Sequence, residues 1–468
     1  MRHTTIDLAT VKSEIFRACD VRGIVGNTLT QDIAYLLGLS FGTQALRLQQ
    51  TRVIVARDGR HSGAMLSKGL SDGLRDSGCD VIDIGQVPTP VLYFATHALN
   101  TGTGIMITGS HNPPDYNGFK MMLAGDTLAE EQIQALFTCI QNRSFSHGQG
   151  SLQNIDLIDD YIARIQQDIK LQQPLKIVVD CGNGVVGVLA EKLFRALGCE
   201  VIPLYCEVDG DFPHHHPDPG QPENLQDLIQ AVKKEKAHLG FGFDGDGDRL
   251  GVVTNEGEII WPDRVMMLFA EDLLKREPGA KIIYDVKCSQ HLRERIEQFG
   301  GIAIMYKTGH ALIKRKMREE NALLSGEMSG HFFFKERWYG FDDATYAGAR
   351  LLEILSQLPE DQIDLGAIFK AYPNSVNTPE INIAISEAQK FPFIELLKTH
   401  HQFQDAEIIT VDGVRAEFAD GWGLVRASNT TPCLVLRFEA INEVALARIQ
   451  AQFKETIFAL APDIAVPF

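Results

Sequence analysis

The chain has 468 residues and ordinary hydrophobic and charged content, a length that allows about three globular domains. Charge is the one skewed quantity: 44 basic against 61 acidic residues leave a net −17. That balance argues against nonspecific partners such as nucleic acid or anionic membranes, but a locally positive site for a small anion stays open. The opening stretch MRHTTIDLATVKSEIF has no apolar signal core, and no apolar run approaches the roughly 18 residues of a membrane span. None of the eight cysteines forms a C-x-x-C pair. A cytoplasmic chain with reduced thiols is expected. The sequons at Asn142 and Asn429 are then chance matches.

Three segments repeat one order of elements. In the first, residues 51–56, 79–85 and 103–108 read as buried strands, with helices at 63–77 and after Pro88 and Pro90. In the second, strands are expected at 176–180, 200–205 and 239–243, with helices at 185–197 and 224–236. In the third, strands at 281–286, 301–305 and 322–325 alternate with helices at 288–299 and 310–320. Such β-α-β-α-β runs favour mainly parallel sheets with right-handed crossovers. The fourth segment differs: strand-like runs at 379–385, 406–411, 414–418, 424–428 and 433–440 lie between helices near 386–398 and 442–458. Asp420-Gly421 marks a hairpin turn there. The expectation is α/β: three similar α/β domains with mainly parallel mixed sheets (1–154, 155–258, 259–371) plus a C-terminal α+β domain (372–468). In open α/β sheets ligands sit beyond the carboxyl ends of strands. Each third strand runs into an unusual loop there, so a central cleft shared between domains is expected.

Those loops carry chemistry. Asp244, Asp246 and Asp248 alternate with glycines, so the backbone can turn tightly and aim three carboxylates at one centre. All-oxygen ligation suits Mg²⁺ better than Zn²⁺. An EF-hand fails, because its Gly and Glu positions fall on Arg249 and Asn255. Ser110, followed by His111-Asn-Pro-Pro, is an exposed, conformationally fixed hydroxyl suited to attack or phosphorylation. Taken by itself, it is equally an Asn-Pro turn with a capping serine. Glu327 and Ser329 can bind sugar hydroxyls, and His331 adds a group titratable near neutral pH. Arg426, Ser428, Asn429, Thr430 and Thr431 match the several acceptor oxygens of a phosphate. Gly182-x-Gly184-x-x-Gly187 fits a dinucleotide fingerprint, but the acid it needs would fall on Glu207 or Asp209, beyond the strand end. It reads as a close-packing glycine loop. The His214–His216 run, bracketed by Pro213 and Pro217, reads as a loop rather than a metal site.

The four loops TGSHNP, DGDGDR, GEMSG and RASNT, in that order, with FRACDVRG near the start and KTGH at 307–310, resemble the α-D-phosphohexomutase superfamily over essentially the whole chain. GEMSGH is similar to the bacterial phosphomannomutase/phosphoglucomutase branch; the phosphoglucosamine mutase branch usually has Gln where Met328 stands. The resemblance implies reversible interconversion of hexose 1-phosphate and hexose 6-phosphate, mannose and glucose phosphates being the substrates. It implies a phosphate on Ser110, Mg²⁺ on that phosphate and the three aspartates, and a hexose 1,6-bisphosphate that turns over within the cleft. Arg426, Ser428, Asn429 and Thr430 would hold the substrate phosphate, and Glu327 and Ser329 the O3 and O4 hydroxyls. Arg22, His111, Lys120, Arg249, His310 and His331 would line the reaction centre, with Lys287 nearby and Lys120 and His331 as acid/base groups. Cys19 departs from the family's Tyr, which removes a phenol. A monomer is expected, with a fourth domain that hinges to open the cleft. The alternatives are phosphoglucosamine mutase activity and a Mg²⁺-dependent sugar phosphatase.

Overall fold

The computed structural model describes residues 5–429 and 431–468. Its first three units share one plan. Each holds a four-strand motif whose first strand is central, whose second and third lie parallel on either side, and whose fourth runs back antiparallel along the third; in unit one Val21–Ile24 precedes the motif and adds an antiparallel edge on the fourth strand. In unit one these are Arg52–Arg57, Asp80–Gln86, Gly104–Ile107 and Tyr116–Leu123. In unit two they are Lys176–Asp180, Glu200–Leu204, Leu239–Phe243 and Leu250–Thr254. In unit three they are Lys281–Asp285, Ile302–Tyr306, Leu324–Gly326 and Phe332–Phe334. Each motif loop is the turn between the third and fourth strands. The apolar runs that follow the loops, such as FKMML and GVV, are long enough to pair back and bury themselves. The sheets are therefore mixed, and the reversal fixes both ends of every motif loop to one hairpin.

The expected single helix at 185–197 is a correction. The chain forms a 3₁₀ turn, Val185–Val188, and a short helix, Ala190–Ala196. A Cβ on Gly187 would sit 2.0 Å from the Cys206 carbonyl oxygen. This close approach tightens the first turn and starts the helix only beyond it.

The fourth unit has an all-antiparallel sheet in the order Val376–Asn377, Cys433–Ala440, Gly421–Ala427, Val414–Phe418, Glu407–Ile409, with Ile381–Ala384 also on Cys433–Ala440. The Asp420-Gly421 turn joins Val414–Phe418 to Gly421–Ala427, as its sequence requires. Helices Glu387–His400 and Glu443–Leu460 pack on this sheet, Asn442 capping the second through its side chain. One apolar core runs through the first three units, from Leu92 and Phe94 through Val179 and Phe241 to Ile282 and Phe332. The fourth unit has its own core around Leu397, Leu436 and Phe453. It meets the third through a small apolar cluster, Val286 with Trp422 and Leu424, and through polar contacts. Arg415 donates to the carbonyls of Val286 and Cys288 at 2.7 Å, and Ser289 donates to Glu439 at 2.8 Å. Among the described residues no helix is long and apolar enough to cross a membrane.

Candidate active site

The strand Gly104–Ile107 delivers Ser110 at its carboxyl end, buried rather than exposed as expected, with φ +50°, in the left-handed region that serine rarely adopts. Its Oγ donates to Asp244 Oδ2 at 2.9 Å and lies 3.1 Å from His111 Nδ1. Asp244 heads the loop after Leu239–Phe243. Its Oδ1 accepts the N–H groups of Gly247, Asp248 and Arg249 at 3.0, 3.1 and 3.2 Å. Lys120, from the strand after the serine loop, donates to Asp246 at 2.7 Å and also to Asp248. All three aspartates are fully buried. Burial, with Asp246 and Asp248 beside it, pushes the Asp244 carboxyl well above the usual range. Burial acts the same way on Asp246, but the Lys120 ammonium outweighs it and holds that group low. Burial pulls Lys120 down, yet Asp246 and Asp248 more than offset it and keep it cationic. Asp246 Oδ1 and Asp248 Oδ1 are buried with no hydrogen-bond partner among the described residues. Orphaned carboxylate oxygens around one point fit a hard divalent cation, which takes oxygen ligands.

Beside this centre sit the loop after Leu324–Gly326 and its neighbours. Glu327 Oε1 accepts the Gly309 N–H at 2.5 Å, and burial pushes its carboxyl up. Arg249 Nε donates to His331 Nε2 at 3.0 Å. The other ring nitrogen of His331, Nδ1, lies 3.0 Å from Asp342 Oδ2 and 3.6 Å from Asp248 Oδ1. This places the ring proton on Nδ1, facing carboxylates. His310 stacks on His331 with ring centres 5.8 Å apart. Burial, then Lys314, holds His310 well below an ordinary histidine. Burial does the same to His111, helped by Arg249, Arg22 and Lys120. Arg22 pairs with Asp20 and donates to Asn112 of the serine loop.

The far wall is built by the fourth unit. Arg426, on the strand Gly421–Ala427, donates from Nε to Asp412 at 2.9 Å, and one of its terminal nitrogens is buried with no partner among the described residues. Ser428 Oγ is 2.8 Å from Thr431 Oγ1, and Asn429 donates to the Thr308 carbonyl at 3.3 Å. Lys287 pairs with Glu380 at 2.6 Å. Thr430 lies outside the described residues. One cavity of about 920 Å³ is lined by Arg22, Ser110, His111, Lys120, Arg249, Lys287, His310, Glu327, Ser329, His331, Arg426, Ser428 and Asn429. All four units contribute, with Asp244, Asp246 and Asp248 buried behind Ser110.

Models of the phosphoglucomutase/phosphomannomutase family match in order: alpha/beta/alpha domains I, II and III at residues 13–147, 159–257 and 261–373, and the C-terminal domain at 380–456. The chain belongs to the phosphoglucomutase/phosphomannomutase family. It is a phosphohexomutase, an enzyme that moves phosphate within a sugar phosphate. A phosphomannomutase/phosphoglucomutase of Pseudomonas aeruginosa is 56% identical over 465 residues, 99% of this chain and 100% of that protein. A phosphoglucomutase of Neisseria meningitidis is 53% identical, covering 96% of this chain and 98% of its own. A crystal structure of a phosphoglucomutase/phosphomannomutase family protein from Burkholderia thailandensis superposes with a TM-score of 0.93 at 51% identity, over 98% of this chain and 100% of that one.

Several groups in this phosphohexomutase's cleft carry no signal in the sequence. Asp342 faces His331, and Lys314 donates to Asp342 at 2.8 Å. Asp412 orients Arg426, and Glu380 holds Lys287. Each is a single acid or base in an ordinary segment, so only the fold reveals its partner; the pair Asp342-Asp343 just after the GEMSGH strand was the nearest available hint. The dinucleotide-like glycines pack against the metal-loop backbone, with the Val185 N–H on the Gly245 carbonyl at 3.1 Å. The histidine run is a buttress: His216 contacts the His111 carbonyl, and His215 lies 3.1 Å from Asp180. Cys19 packs with Ala129, Ala311 and Leu312, and burial pushes its thiol up to about 12. It is a packing residue on the cleft wall.

Proposed function

We propose that this phosphohexomutase interconverts the 1- and 6-phosphates of mannose and glucose, with Ser110 as the phosphoryl carrier and a hexose 1,6-bisphosphate as intermediate. The observation that carries this reading is the pairing of two opposed anion sites in one cleft. At one end Ser110 Oγ meets Asp244 at 2.9 Å; at the other, Arg426, Ser428 and Lys287 face the same cavity. A substrate with one phosphate in the far cradle presents its free hydroxyl to Ser110. Turning the bisphosphate end for end presents the other phosphate, so one carrier serves both positions.

Asp244, Asp246 and Asp248, with Ser110, would hold Mg²⁺. Bound there, the ion would stabilise charge on the moving phosphoryl group. The protein's own groups do the rest. Lys120 and Arg249 add positive charge beside Ser110. Glu327 and Ser329 hold the sugar hydroxyls and so fix the ring. His331, with Nδ1 turned to Asp342, is oriented to move a proton at Nε2 once Arg249 yields that position to substrate. Arg426, Ser428, Asn429 and Thr430 clamp the resting phosphate. The protein acts as a cytoplasmic monomer.

A coupled assay with mannose, glucose and glucosamine 1-phosphates tests the reading, run on the wild type and on Ser110→Ala with bisphosphate supplied. Turnover of the mannose and glucose phosphates, lost in Ser110→Ala, is the expected outcome. Preferential turnover of the glucosamine phosphate, release of inorganic phosphate alone, or full turnover by Ser110→Ala overturns it.

A further inference from the structure

The transfer centre depends on a serine in an unfavourable backbone conformation. A non-glycine residue in the left-handed region costs about 1–2 kcal/mol and persists only where its surroundings over-determine it. One side chain does most of that determining. Arg60 follows the strand Arg52–Arg57 and is buried, with its guanidinium under the serine loop. Its two terminal nitrogens donate to four carbonyl oxygens of that loop: Ser110 at 2.8 Å, Asn112 at 2.6 Å, Pro113 at 2.5 Å and Tyr116 at 3.0 Å. Its Nε lies 3.2 Å from Asp58 Oδ2, and the same Asp58 oxygen accepts the Gly109 N–H at 3.0 Å. From unit two, the Phe212 ring covers the guanidinium at 5.1 Å.

We propose that Arg60 is the positioning residue of the transfer centre: its guanidinium holds the 110–116 loop in the shape that points Ser110 Oγ at Asp244. Donor geometry suits Arg60 to this role. Only a guanidinium presents this many N–H groups in one plane, whereas a lysine ammonium has three donors on a point. The four carbonyls come from both arms of the loop, so one planar group ties its start to its end. Gly109 is part of the device. A Cβ there would lie 2.3 Å from Arg60 Nε and 2.4 Å from its Cζ, so the residue before the carrier serine must lack one. Arg60 lines no part of the cleft and touches no substrate; it acts through Ser110.

The inference rests on Ser110 being the carrier, and its test separates the two. Arg60→Lys keeps the charge and loses the fork. Its kcat with glucose 1-phosphate should fall about 100-fold, in line with the cost of misplacing a reacting group by about 1 Å, while KM stays within threefold because the cradle is untouched. Gly109→Ala pushes the guanidinium away without altering it and should give the same kcat-selective loss. In Arg60→Ala, added guanidinium ion should restore kcat at least tenfold, and ammonium ion should not. Circular dichroism and melting temperature identify a variant that merely unfolds, and Arg60→Lys with Gly109→Ala then decides the matter. An Arg60→Lys kcat within twofold of wild type, or a loss that appears in KM and not in kcat, overturns the proposal. Undiminished turnover by Ser110→Ala instead overturns the carrier reading and leaves an Arg60 effect to be explained otherwise.

Discussion

At the Ser110 end of the cleft, the reacting side chains come from three units that share one apolar core. At the Arg426 end they come from a unit with a core of its own, joined to the third unit through a small apolar cluster of Val286, Trp422 and Leu424 and through guanidinium–carbonyl and carboxylate contacts. The first end is built to keep distances fixed: Asp244 takes three backbone N–H groups and the Ser110 hydroxyl at once. The second shares only a small apolar cluster with its neighbour. Separating apolar surface costs about 25 cal/mol per Å², and the cluster at this joint is far smaller than the core shared by the first three units; polar contacts exchange with water at a small net cost. Phosphoryl transfer needs the fixed end. A bisphosphate that turns within the site needs a wall that gives way.

The comparison breaks first if the fixed end tolerates change. Asp342→Asn removes the carboxylate facing His331 and Lys314; kcat should fall about 1,000-fold, within the range of general acid–base catalysis, with KM nearly unchanged in steady-state assays. A loss under tenfold would mean the ring needs no orientation.

Next comes the pH response of the body. Asp343 is buried where helix Ile158–Asp168 meets helix Ala344–Ser356, under hydrogen bonds from Tyr161 and the Tyr346 N–H. Burial pushes its carboxyl up from 3.8 to about 6. A carboxyl whose folded pKa is raised lends stability that is complete below its unfolded pKa and lost as pH rises through the folded one. The wild-type body should lose on the order of 3 kcal/mol between pH 4 and 6 from this group. Asp343→Asn should flatten that slope in melts from pH 4 to 7, leaving the C-terminal unit's transition where it was. An equal slope in both proteins would remove Asp343 as its source.

At the Arg426 end, Arg426→Ala should raise KM about 30-fold, the value of about 2 kcal/mol for hydrogen bonds to a charged group, with kcat changed little. A kcat-only loss would place Arg426 in the chemistry instead. The smallest effect belongs to the joint. Arg415 stacks 3.8 Å from the Trp422 ring while holding the Val286 and Cys288 carbonyls. Arg415→Lys should cost about 1 kcal/mol of docking. It should shift kcat and KM together by a few-fold and speed hydrogen exchange in residues 376–460 before the rest. Uniform exchange across all four units would show that the C-terminal unit does not move independently.

The sequence was most legible where backbone and chemistry coincide. Alternating Gly and Asp at 244–248 can serve few purposes, and the apolar runs before each loop place the strand ends directly. The reversed fourth strands, Tyr116–Leu123, Leu250–Thr254 and Phe332–Phe334, were not legible, because the apolar runs after the loops give no strand direction. It was least legible where function depends on distance in space. Asp342 and His331 are eleven positions apart, Asp412 and Arg426 are on different strands or loops, and Arg60 reaches residues fifty positions away. The broken helix at 185–197 was hidden for the same reason, because Gly187 answers to Cys206 on the neighbouring strand end.

The central claim is that phosphate passes through Ser110 at the fixed end while the sugar is held at the other. The protein, loaded with hexose 1,6-bisphosphate and desalted, can be mixed with glucose 6-phosphate and followed by intact mass and peptide mapping on the turnover timescale. The account predicts an added mass of about 80 Da, one phosphoryl group, on the peptide containing Ser110, lost as fast as kcat while the bisphosphate appears. A mass that never rises, that sits on another residue, or that is lost only to water would contradict it.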